Sequence, residues 1–158
     1  MHVECPALTA GRLIPTRYAY TGVPGAKNIS LPVKWSGLPE GTASCALSII
    51  DIHPIANNWV HWCLVNIPPS ALSVPEDASG QGSLLPPGSI ECRNTYGTGG
   101  YGGPRPPRGS GPHEYVITVH ALSVPKLAVV PGAEPGPVLR QIEESEIGKA
   151  SLAGIFEQ

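Results

Sequence analysis

The chain has 158 residues, the size of one domain, with 10 Lys and Arg against 12 Asp and Glu and a formal net charge of −2. Its 19 glycines and 19 prolines, about a quarter of the chain and roughly double ordinary usage, exclude an all-helical bundle, because helix interiors tolerate neither residue. A charged fraction of 14% beside 41% hydrophobic residues excludes disorder, and the near-neutral balance leaves no electrostatic footprint for nucleic acid or an anionic membrane surface.

Residues 1–28 are broken by Pro6, Pro15 and Pro24, with turn-marking Gly22 and Gly25, and predict short strands at most. Ile29 to Trp35 alternates apolar and polar residues and predicts a strand, followed by the turn formers Ser36 to Gly41. Cys45 to Ile52, bounded by Pro54, and Trp59 to Ile67, closed by Pro68-Pro69, are apolar runs of strand length. Tyr115 to Val124, rich in β-branched residues and ended by Pro125, predicts another central strand. Apolar residues on both faces of such strands imply cover on both sides, as when two sheets stack. Pro137 to Lys149 predicts the helix of the chain, with Val138, Leu139, Ile142 and Ile147 as its apolar stripe, and Ala150 to Phe156 a final strand or extended segment. The expected architecture is mainly β, one antiparallel domain over residues 1–158 with a helix near the C-terminus.

The opening residues lack a basic stretch followed by an apolar run, and no window holds 18 apolar residues, so a cytoplasmic protein without stable membrane insertion is expected. Cys5, Cys45, Cys63 and Cys92 form no C-x-x-C pair and have no histidine at zinc-finger spacing. Cys45 and Cys63, inside apolar runs, read as small buried hydrophobes. No cofactor is expected.

Three segments carry candidate chemistry. Gly97 to Gly111 reads GTGGYGGPRPPRGSG, ten of its fifteen residues Gly or Pro, with two arginines and no acid. Such a run offers successive backbone N–H groups to an anion, with Arg105 or Arg108 adding charge, yet its spacing matches neither the P-loop nor the dinucleotide fingerprint. Asp51, His53, Trp59, His61 and Trp62 flank the turn between the two apolar runs. At period two, Trp59, His61, Cys63 and Val65 share one face and Trp62 and Leu64 the other. His113 and Tyr115 open the later strand on one face, directly after the glycine run. If these strands are neighbours, the three segments converge on one site. Two chemistries suit it: histidine and tyrosine donors holding a phosphate or carboxylate oxygen, or a metal-dependent hydrolase with zinc on His53, His61 and His113 and Asp51 behind a ligand. Imidazolium donors would make anion affinity fall as pH rises through the imidazole range.

The motifs Trp35-Ser36-Gly37-Leu38-Pro39-Glu40-Gly41-Thr42, Ala46-Leu47-Ser48-Ile49-Ile50-Asp51, Trp59-Val60-His61-Trp62, Gly100-Tyr101-Gly102-Gly103-Pro104 and Gly111-Pro112-His113-Glu114-Tyr115 occur in this order. Together, over roughly Ile14 to Phe156, they resemble the phosphatidylethanolamine-binding protein family, particularly its prokaryotic Raf kinase inhibitor-like branch. The resemblance implies a Greek-key domain of two antiparallel sheets with a C-terminal helix. It also implies a non-catalytic anion pocket for phosphate, carboxylates or a phosphoryl head group. By that resemblance Asp51 matches the first Asp of the family's D-P-D-A-P stretch, Trp59 and His61 its W-x-H-W signature, His113 and Tyr115 its G-P-H-R-Y signature, and Gly102 and Gly103 the glycine loop. His53 stands where the second carboxylate is usual, Glu114 where an arginine is usual, and Phe156 where a tyrosine is common. The partners implied are a small anion and a protein kinase or serine protease target, for a monomer or homodimer.

Overall fold

The computed structural model describes residues 1–9 and 12–158. Its strands are β1 (His2–Glu4), β2 (Val33–Ser36), β3 (Ser44–Asp51), β4 (Trp59–Ile67), β5 (Ser73–Val74), β6 (Ile90–Glu91), β7 (His113–Leu122) and β8 (Glu146–Phe156), with one α-helix, α1 (Pro135–Ser145). They form a three-stranded sheet in the order β1-β2-β5 and a five-stranded sheet in the order β6-β4-β3-β7-β8, antiparallel throughout.

The period-two side-chain alternation of β3 and β7 decides how the layers stack. Leu47, Ile49, Tyr115, Ile117 and Val119 face inward with Trp62 and Leu64 of β4, and pack with Val3, Val33, Trp35 and Val74 of the small sheet. The opposite face buries Ala46, Val60, Cys63, Val65 and Leu122 under Leu127, Val138 and Ile142. Cover on both sides is therefore real, but only one side is sheet on sheet; α1 and the loop before it cover the other.

β4 matches its predicted span, and β3 and β7 lie within two residues of theirs at each end. β2 is shorter than expected because Pro32, immediately before it, has no N–H for a ladder bond. The larger correction concerns the helix, which runs Pro135–Ser145 rather than to Lys149. Glu146, Gly148 and Lys149 instead pair with Leu122, Ala121 and His120, with a register shift between Ala121 and Leu122. A helical pattern in residues 146–149 loses to long antiparallel pairing, and Gly148 suits the close approach there, since a Cβ would meet Pro39 Cγ at 2.8 Å. Val138 and Ile142, one turn apart, are the buried helix positions, whereas Ile147 is exposed on β8. All four cysteines are free and buried.

Candidate functional site

Asp51 ends β3, and the register sets it opposite Trp59 of β4 and Tyr115 of β7. One rung thus brings three of the candidate residues together at the end of the large sheet. His61 reaches the same place through a bulge. The β3–β4 ladder passes from Ile49 opposite Trp62 to Ile50 opposite Val60, so His61 is the extra residue of β4. This overturns the period-two expectation that His61 shares a face with Cys63 and Val65. Those two face α1, while the His61 ring meets Tyr115 edge-on at 5.0 Å between centroids. A bulge of this kind re-aims one side chain beside a site.

Asp51, Trp59, His61, His113 and Tyr115 line a cavity of about 260 Å³, closed by Tyr96, Arg105 and the turn after β3. The Asp51 carboxylate accepts from His113 Nδ1 at 2.6 Å and from the His53 amide at 2.9 Å. The other nitrogen of His113 lies 2.9 Å from Ser110 Oγ. Both His113 nitrogens are thereby engaged inside the protein, and the ring builds the cavity wall. His53 stacks on His113 at 3.9 Å between centroids and accepts from the Ile55 amide through Nδ1, capping the turn Pro54–Ala56. Among the described residues no group of three or more His, Cys, Asp or Glu side chains is arranged to hold a metal ion, so the zinc alternative on His53, His61 and His113 finds no support in the geometry.

His61 donates through Nδ1 to the Gly102 carbonyl at 2.6 Å. Burial pushes its pKa down to about 4, against smaller upward pulls from the Gly102 carbonyl and Asp51. At neutral pH its remaining ring nitrogen is therefore an acceptor with a free lone pair, so His61 is not the pH-dependent cationic donor that the residue types suggested. The unspent donors lie elsewhere. The Tyr115 hydroxyl and Trp59 Nε1 are buried without a hydrogen-bond partner among the described residues, on rings that both line the cavity. Burial raises the Tyr115 pKa well above its ordinary value, the Asp51 carboxylate adding to this, so the hydroxyl keeps its proton. Arg105 supplies the cation: its Nη1 donates to the Thr21 carbonyl at 3.3 Å and its guanidinium lies over the Tyr20 ring.

The glycine loop works indirectly. The Gly102 amide donates to the His61 carbonyl at 2.8 Å and the Gly103 amide to Asn28 Oδ1 at 2.8 Å, so neither N–H is left open as the anion cradle the composition suggested. Close packing is what requires glycine here: a Cβ on Gly103 would sit 2.0 Å from the Tyr18 carbonyl oxygen, and one on Gly102 2.6 Å from Tyr96. Tyr96 was not singled out by sequence reasoning. It stacks on Tyr20 at 3.9 Å and donates to the Gly103 carbonyl at 3.0 Å. Its only sequence signal is its place in Arg93-Asn94-Thr95-Tyr96-Gly97, just before the loop. Arg108 is exposed, and Glu114 points to solvent between His113 and Tyr115. Phe156 pairs with His113 across the β7–β8 ladder.

Two stacked antiparallel sheets with one small cavity at the strand ends, walled by an Asp-His pair and bearing unspent donors, define a class of β protein. The chain belongs to the phosphatidylethanolamine-binding protein family, whose model matches residues 5–157. It is similar to the UPF0098 protein of Methanothermobacter thermautotrophicus, 36% identical over 156 residues, covering 99% of this chain and 98% of that one. It is also similar to LppC of Mycobacterium tuberculosis, by name a candidate lipoprotein, 34% identical over 98% of this chain and 71% of that one. The crystal structure of Escherichia coli YbcL, described as a new member of the mammalian PEBP family, superposes with a TM-score of 0.92 at 32% identity, over 99% of this chain and 98% of that one. The two-sheet fold with a C-terminal helix is thus the family's. No helix among the described residues is long and apolar enough to cross a membrane.

Proposed function

We propose that this chain is a binding protein whose cavity captures a small phosphate-like oxyanion that still carries a proton, without catalysing a reaction there. The observation that carries this reading is the pair of buried, unpartnered donors, the Tyr115 hydroxyl and Trp59 Nε1. Unpaired buried donors cost about 1–3 kcal/mol each, and a bound acceptor oxygen removes that penalty. Arg105 adds positive charge to the same wall. The neutral His61 ring and the Asp51 carboxylate contribute only acceptors, so the fitting ligand combines P–O⁻ oxygens with one P–OH. A carboxylate satisfies the donors but leaves the acceptors unmatched. A phosphoryl head group with an ammonium offers that cation to Asp51.

Calorimetric titration at pH 6 with phosphate, phosphoethanolamine and sulfate tests this. Phosphate carries a proton at that pH and sulfate does not, so phosphate binds at least tenfold more tightly. Equal binding of sulfate, no binding of phosphate, or phosphate affinity unchanged by His61→Ala and His113→Ala overturns the reading. A protein kinase or serine protease as the target rests on the family resemblance alone, and co-purification with each class checks it. Cytoplasmic work is the companion proposal, supported by four free cysteines, which suit a reducing compartment; recovery from cells in a membrane fraction would overturn it.

A further inference from the structure

The face of the large sheet turned away from the anion cavity carries a second polar cluster. The register sets Ser48 of β3 opposite Thr118 of β7, and Thr118 opposite Ser151 of β8. Two residues along, on the same face, His120 stands opposite Lys149. With Leu139, Ile142 and Glu143 of α1 these side chains line a separate cavity of about 300 Å³.

Ser48 Oγ lies 3.0 Å from His120 Nε2, and His120 Nδ1 lies 2.6 Å from Glu146 Oε2. A carboxylate can only accept, so Nδ1 carries the ring hydrogen and Nε2 accepts from the Ser48 hydroxyl. Burial lowers the His120 pKa despite the Glu146 hydrogen bond, which keeps the ring neutral and able to take a proton at neutral pH. For Glu146, burial acts upward, but hydrogen bonds from His120 and Lys149 outweigh it and hold the carboxyl below its usual value. Lys149 Nζ fixes the other carboxylate oxygen at 3.1 Å. Serine and histidine both line the cavity while the carboxylate stands outside its lining. A nucleophile beside a base that a third group orients is the arrangement of nucleophilic catalysis. Thr118 and Ser151 share one hydrogen bond at 2.9 Å, so one of these two hydroxyls keeps a hydrogen to donate to a developing oxyanion, with the Lys149 ammonium lining the same cavity.

We propose that Ser48 is a nucleophile, activated by His120 and positioned through Glu146, that accepts the acyl group of small esters. Ser48 Oγ bonds to the ester carbonyl carbon while its proton passes to His120 Nε2. The tetrahedral adduct then collapses, breaking the bond to the alcohol, which leaves with that proton. Water attacks the acylated serine, gives its proton to His120, and the acid departs as the Ser48 hydroxyl is restored. This site shares no side chain with the anion cavity, and its fate is independent of the binding proposal.

The test is labelling of the purified protein with a small alkyl fluorophosphonate, in which Ser48 Oγ bonds to phosphorus as fluoride leaves, followed by intact mass and peptide mapping. One adduct on Ser48 is expected, slowed about 100-fold or more in His120→Gln and also slowed in Glu146→Gln, in line with the loss of a general base. Circular dichroism of each variant confirms that it is folded. No adduct on Ser48, an adduct only elsewhere, or an unchanged rate in folded His120→Gln overturns the proposal; a cluster that merely satisfies its own hydrogen bonds gives the first of these.

Discussion

Replacing Tyr115 by phenylalanine removes one oxygen and leaves the ring that packs against His61. Tyr115 is 1% exposed and its hydroxyl has no partner within hydrogen-bond distance among the described residues, so in the unliganded protein that group has lost water for no close hydrogen bond, with the Asp51 carboxylate as the nearby acceptor. An unpaired buried hydroxyl costs about 1–3 kcal/mol, so Tyr115→Phe stabilises the unliganded protein by about 1 kcal/mol. For a chain of this size that raises the Tm by about 2–4 °C. The same change deletes a hydrogen bond to a charged ligand, worth about 1.5–3 kcal/mol, which corresponds to about 10- to 100-fold in affinity. Thermal unfolding with and without phosphate, paired with calorimetric titration, therefore gives effects of opposite sign: a higher Tm alone and a smaller shift on adding ligand. A variant that is less stable without ligand refutes the reasoning, because the hydroxyl must then be paired in the free protein. Unchanged affinity refutes the assignment of the cavity.

Acid sensitivity follows from His61. Its pKa is about 4 in the fold against an ordinary 6.5, so the unfolded chain takes up a proton that the folded one refuses. Stability from this group is complete above pH 6.5 and is lost as pH falls toward 4, in total about 3 kcal/mol at 1.36 kcal/mol per unit. In His61→Asn, which can keep a donor toward the Gly102 carbonyl, denaturant unfolding between pH 7 and 4 shows a shallower decline; an unchanged slope contradicts the buried neutral histidine. Gly103→Ala places a Cβ 2.0 Å from the Tyr18 carbonyl oxygen and costs about 3 kcal/mol or more, since backbone cannot move aside as a side chain can. A Tm equal to wild type would show that the loop relaxes freely.

Much of the site was legible before the fold was known. Asp51, Trp59, His113 and Tyr115 sit at the ends of strands whose apolar runs and proline stops mark them plainly, and one rung of the sheet joins Trp59, Asp51 and Tyr115. The donor assignment was not legible. The histidines looked like the anion's donors, yet His61 gives its hydrogen to Gly102 and His113 is engaged by Asp51 and Ser110. Residue type states what a side chain can donate, but not what it has already donated.

Periodicity and turn chemistry are local, and they determine the β class, the central strands β3, β4 and β7, and the crowding of glycine before His113. Tertiary structure decided everything that depends on register. The bulge at His61 turns its ring toward Tyr115, away from the face of Cys63. Ending α1 at Ser145 frees Glu146 and Lys149 to pair with β7, so that Glu146 meets His120, while the β3–β7 register brings His120 to Ser48. Those groups are separated by 26 and 72 positions in the chain, and no period within one segment encodes a meeting across three strands; it arises only when the whole sheet selects the pairing that buries both of its faces.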